Sequence, residues 1–229
     1  MKKAVFILVF ASLGAAYIVL SPSFGACGGT VVKILPVLLL MAGLLVSGKR
    51  HKIVAEWLLP LLALFFSACG DVAGNINGDA QFLKMMLSFA VAHVFYIISF
   101  ARHASPAAGK WKKAAETLIL AAYVTAFGLL LFPKIEDTVL KAGCFCYMAL
   151  IGSSCLTAIL QERQGRRLMI IGVTLFIISD SLLVAGKFLG PVPCRRLLVM
   201  GTYYAAQFLI NMPLIFSERD KKIKKSLQY

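Results

Sequence analysis

Runs of apolar residues about as long as a bilayer is thick recur eight times along the chain. They lie at residues 4–20, 30–47, 53–73, 82–101, 114–132, 139–160, 168–187 and 197–216. Short stretches rich in Gly, Pro and charge separate them. A helix needs about 20 mostly apolar residues to cross the hydrocarbon core. The pattern therefore predicts an all-α polytopic membrane protein, a bundle of eight transmembrane helices. The loops leave no room for a soluble domain, so residues 1–229 read as one integral membrane domain ending in a basic tail at 217–229. The first run follows Lys2 and Lys3, and "FGAC" ends a stretch that resembles a lipoprotein signal. Because the topology closes best with that run retained, it is expected to be the first helix.

Composition agrees. Hydrophobic residues make up 60% of the 229 and the mean hydropathy is +0.84, against roughly 45–50% apolar residues in soluble domains. The net charge of +14 would suit a nucleic-acid partner only if it formed a basic face on a soluble module. Here the basic residues fall between apolar segments. Seventeen of the 24 Lys and Arg fall at the N-terminus, in alternate loops and in the tail, and six fall on the opposite side. The positive-inside rule then places both termini in the cytoplasm. Trp57 and Trp111 fall at the same boundary, where interfacial aromatics belong. Of the six cysteines, four lie in apolar segments and none forms a CxxC pair. Ordinary burial accounts for them. Cys27 and Cys194 fall in predicted external loops, a placement compatible with a disulfide.

Against this background a few polar positions stand out. Ionisable residues inside spans are costly and face the bundle interior. Here they are Lys33, Asp71, His93 and Asp180, joined by Tyr96, Tyr147, Tyr203, Gln207 and Asn211. His93 and Tyr96 are three apart, on one helical face. Tyr203, Gln207 and Asn211 recur every fourth residue, a polar stripe sealed against other helices or lining a cavity. Asp71 and Asp180 sit on the third and seventh spans, each with a serine nearby, which suggests a four-plus-four repeat of parallel halves. Lys33 can snorkel, and the uncharged groups can serve as interhelical bonds. Asp180, apolar on both flanks, resists such explanations.

The chemistry these residues offer is narrow. GxSxG, P-loop and GxGxxG patterns are absent, and no HExxH-like pair supplies a metal site, so neither a metal nor an organic cofactor is expected. Two carboxylates in one low-dielectric site can divide roles, one holding a proton while the other is ionised. Such a pair suits a reaction that needs an acid and a water-activating base. A proton-coupled membrane transporter would use the same acidic residues, and the residues alone leave both readings open.

The motifs "KILPVLLLMAG", "FFSACGD", "AHVFYIISF", "LFIISDSLL" and "TYYAAQFLI" follow one another on expected helices. Together they resemble the YhhN family of membrane proteins, over residues 31–214. One departure is Ile34, where that family commonly has Pro after the Lys. The resemblance implies a lysoplasmalogenase-like ether hydrolase. Such an enzyme cleaves the vinyl ether of an alkenyl-glycerophosphocholine or -ethanolamine to a fatty aldehyde and the glycerophospho-alcohol. It implies Asp71 and Asp180 as the catalytic pair. Asp180, with the more apolar flanks, is expected to be the acid. Lys33 is expected to meet the phosphate, and His93, Tyr96, Tyr203 and Gln207 to orient water and the glycerol oxygens. The implied partners are a lysophospholipid and membrane lipids, not nucleic acid, and the expected location is a bacterial inner membrane.

Overall fold

The structure is a computed structural model, and it describes residues 3–23, 25–49, 53–75, 80–105 and 109–216. The basic tail at 217–229 lies outside the described residues. Helices account for nearly all of the rest: α1 (Lys3–Leu20), α2 (Ala26–Gly48), α3 (Ala55–Ala73), α4 (Gln81–Ala101), α5 (Lys110–Leu131), α6 (Thr138–Leu160), α7 (Arg166–Phe188) and α8 (Arg195–Ile215). Among the described residues, eight helices are long and apolar enough to cross a membrane. An all-α integral membrane bundle is therefore the architecture, as the hydropathy pattern predicts. Several helices begin earlier than the apolar runs. In α5, α7 and α8 the added residues, such as Lys110–Lys113, are mostly charged. A helix continues wherever its backbone bonds are made, whether or not its side chains suit lipid.

The start of α1 and the end of α8 lie together, with Phe6 edge-on to Phe216 at 5.4 Å and the Lys3 ammonium 6.0 Å from the same ring. This end also carries Lys49, Arg102, Lys110 and Arg166, and is called the basic end below; the opposite one is the far end. At the basic end two loops are knitted together. Ala104 and Gln161 form an antiparallel bridge, Ser105 N–H donates to Leu160 O at 2.9 Å, and Glu162 N–H donates to His103 O at 2.9 Å. The buried Lys113 ammonium joins them, donating to Ser105 O at 2.7 Å and Leu160 O at 3.1 Å and pairing with Glu162. That bond holds the Glu162 carboxyl below its ordinary range. Beneath the loops Glu56 pairs with both Arg163 and His103.

Helix packing follows the small residues. Gly172 of α7 lies against α8 backbone: a Cβ there would come within 3.0 Å of Ala206 O and Ile210 N. Close approach of this kind substitutes for the hydrophobic drive that lipid removes. Gly70 of α3 similarly admits the Phe89 ring of α4. Gly165, at φ +84°, turns the chain into α7 and meets the Pro213 ring, leaving no room for a side chain. The best-packed helix is α8, whose buried face runs from Val199 to Ile215. By contrast, α5 buries only Lys113, Gly128 and Leu131 and forms one outer wall. The Cys194 thiol is free and exposed; the Cys27 side chain is outside those described.

Candidate active site

One interior feature collects most of the costly polar groups. A narrow cavity, open on one side, lies toward the far end and is lined by α2–α8. Its walls are largely apolar: Phe82 and Phe89 of α4, Phe127 of α5, Met148 and Ile151 of α6, Leu183 of α7. Into this apolar space project Asp71, Asp180, Lys33, Tyr147 and Tyr203. Ligand pockets have this make-up, apolar walls with a few convergent polar groups.

The two carboxylates are held differently. Asp71, 2% exposed, sits in the last turn of α3. Its Oδ1 is 3.2 Å from the Lys33 ammonium, which also donates to the Asp71 carbonyl at 3.2 Å. Its Oδ2 accepts from the Tyr203 hydroxyl at 2.6 Å. Lys33 is itself placed by α8, since Tyr204 donates to the Lys33 carbonyl at 2.8 Å. Asp71 thus has a cation and a hydroxyl donor, the environment of an ionised carboxylate. Asp180, half-buried on α7, has no cation partner among the described residues. Its Oδ2 accepts from the Tyr147 hydroxyl of α6. Next to it, Ser181 accepts from Tyr123 of α5 at 2.8 Å, which closes the outer wall beside the carboxyl.

The aromatic residues behind these groups fix their positions. Phe89, Phe176 and Tyr203 meet edge-to-face in a triangle, with centroids 5.5–5.9 Å apart. Such contacts add about 0.5–1.5 kcal/mol each beyond burial and leave the Tyr203 ring few alternatives. His93 packs on Phe176 at 4.7 Å and on Tyr147 at 5.9 Å, buttressing the tyrosine that bonds Asp180.

Of the residues singled out in the sequence, the fold brings Lys33, Asp71, Tyr147, Asp180 and Tyr203 to one cavity. His93, Tyr96 and Gln207 do not line it. Tyr96 donates to Gln207 Oε1 at 2.7 Å, and Asn211 donates to the Tyr96 hydroxyl at 3.1 Å. The stripe on α8 therefore divides: Tyr203 serves the cavity, while Gln207 and Asn211 tie α8 to α4. The serines beside the acids turn elsewhere, Ser67 to Ala63 O and Ser179 to Val199 O. In the sequence Tyr147 is one polar group among several, and Tyr123 and Ser181 carry no signal of a role. Their signal is a partner on another helix, which spacing along one helix does not carry. Among the described residues, no three of His, Cys, Asp and Glu gather as a metal site.

A polytopic helical membrane protein with paired acids in an apolar, half-open cavity is the class that fold and site define. The chain belongs to the YhhN family, whose model matches residues 28–214. It is similar to lysoplasmalogenase TMEM86A of Homo sapiens, 31% identical over 202 residues covering 82% of this chain and 78% of that protein. Lysoplasmalogenase TMEM86B of Homo sapiens is 32% identical over 194 residues, covering 83% and 77%. Lysoplasmalogenase TMEM86B of Sus scrofa is 31% identical over 196 residues, covering 84% and 78%. No solved structure matches the chain at comparable significance.

Proposed function

We propose that this protein is a membrane ether hydrolase that cleaves the vinyl ether of a lysoplasmalogen, releasing a fatty aldehyde and glycerophosphocholine or glycerophosphoethanolamine. The observation that carries this is the unequal pairing of two carboxylates in one apolar cavity. Asp71 has Lys33 at 3.2 Å and Asp180 has Tyr147 alone. Similarity to the lysoplasmalogenases supplies the substrate class.

In this reading Asp180 carries the proton and Asp71 the negative charge. Asp180 protonates the outer alkene carbon, and the π electrons move to give an oxocarbenium ion. Asp71 stabilises that cation and takes a proton from the water that adds at the carbon bearing oxygen. The hemiacetal then collapses. Asp71 returns its proton to the glycerol oxygen as the carbon–oxygen bond breaks, and Asp180 recovers its proton from the hemiacetal hydroxyl. Both acids end as they began, and the sum is one water consumed. Electrostatic stabilisation is strongest in a low-dielectric site, which the apolar walls supply. Tyr203 orients Asp71 directly. His93 acts through Tyr147, and Tyr96 and Gln207 hold α4 and α8 at the spacing the cavity needs.

The test is purified protein in detergent with a lysoplasmalogen and, in parallel, its saturated alkyl ether, with free aldehyde as the readout. Cleavage of the vinyl ether alone is expected, because a saturated ether has no alkene carbon to protonate. Asp180→Asn should remove turnover while leaving the protein folded, since no ion pair is broken. Substrate flux across sealed vesicles without any aldehyde would instead identify a transporter.

A further inference from the structure

Lys33, the cation expected for the phosphate, is committed to Asp71. A lysolipid bound with its vinyl ether at Asp180 still presents a phosphate that needs a partner. We infer that Lys187, seconded by Arg195, is a phosphate seat at the mouth of the cavity; this rests on the hydrolase reading above.

Several observations place it. Lys187 follows Asp180 by seven residues on α7, two helical turns, so both side chains lie on one face about 10.5 Å apart along the axis. The Lys187 ammonium lies over the Phe82 ring, 4.9 Å from its centroid, and 5.6 Å from that of Phe188. Phe82 lines the cavity and Lys187 itself does not, so the cation stands against a lining ring rather than inside the cavity. Beside it, the Arg195 side chain lies flat on Gly186, where a Cβ would come within 2.9 Å of Nε and 3.5 Å of Cζ. Neither cation pairs with a described carboxylate.

The spacing suits the ligand. Three single bonds of a chain span at most about 3.6 Å, so the six bonds from the vinyl ether carbon to phosphorus reach about 7 Å. Contacts of about 3 Å at each end, to Asp180 and to the ammonium, bring the span to about 13 Å, which is of the order of the two-turn axial separation plus the reach of the Lys187 side chain. A lysolipid can then lie along α7, with its phosphate at the rim, its ether at Asp180 and its chain against Phe127 and Ile151. The seat recognises the phosphate common to choline and ethanolamine lipids rather than the base beyond it.

The experiment compares an alkenyl-glycerophosphocholine with the same alkenyl glycerol lacking phosphate, in neutral detergent free of phospholipid. K187Q should raise KM for the phosphate substrate by about tenfold, the loss of one charge-assisted contact, with kcat unchanged. K187R should restore the wild-type KM, and R195Q should show a smaller rise in the same direction. KM for the phosphate-free substrate should not move in any variant. Unchanged KM for the phosphate lipid in K187Q overturns the seat while leaving the hydrolase reading standing. A KM effect confined to phospholipid vesicles overturns it in favour of a lysine that anchors to bilayer phosphates. No aldehyde from either substrate with wild-type protein overturns the underlying hydrolase reading.

Discussion

At the scale of single residues, the candidate site depends on who partners each acid. Lys33 and Asp71 form a buried pair, 8% and 2% exposed, and stranding one member of such a pair costs about 3–5 kcal/mol. Lys33→Met should therefore lower the melting temperature in detergent as well as abolish turnover. The double variant K33M/D71N should recover most of the stability, because the orphaned charge is gone, but none of the activity. Equal melting of the single and double variants would argue against the pairing. Tyr147 is the corresponding residue for Asp180. Replacing it with Phe removes one hydrogen bond to a carboxyl, worth about 0.5–1.5 kcal/mol for a neutral acid. If the bond orients the acid during proton transfer, Tyr147→Phe should lower kcat about ten- to a hundredfold while the melting temperature falls by only a few degrees. A normal kcat would remove Tyr147 from the machinery.

At the scale of helices, glycines set how closely the walls approach. A Cβ on Gly70 would stand 2.9 Å from Phe89 Cε2, and Phe89 in turn packs 5.8 Å from Tyr203. Overpacking of this kind costs about 1–3 kcal/mol. Gly70→Val should therefore both lower the melting temperature and reduce turnover, by pushing Phe89 toward the tyrosine that holds Asp71. An unchanged melting temperature would mean that α3 and α4 separate freely. The helices themselves were legible in the sequence, since each is an unbroken apolar run. Their first turns were not, because charged residues such as Lys110 and Lys112 carry a helical backbone without any apolar signal. Nor was the division of the α8 stripe. A spacing of four puts Tyr203, Gln207 and Asn211 on one face, but neighbouring helices at different depths decide what each residue meets.

At the scale of the whole molecule, charge asymmetry predicts orientation. With the basic end in the cytoplasm, a fluorescent reporter fused after the tail should glow in bacterial cells, and alkaline phosphatase at the same position should be inactive. The reverse result would invert the bundle and place the cavity mouth, which lies toward the far end, on the cytoplasmic side. Span number, the charge asymmetry behind the expected orientation and the short list of costly polar residues all come from quantities that add up along the chain: hydropathy, charge and length. They are properties of the sequence by itself. Tertiary structure alone decided that Asp71 has a lysine and Asp180 a tyrosine, that His93 stands behind the cavity wall, and that Lys187 lies over Phe82. Those outcomes depend on how each helix is rotated and how deep it sits. Helix rotation and depth are set by side chains interlocking between helices far apart in sequence, and periodicity within any one helix leaves them undetermined.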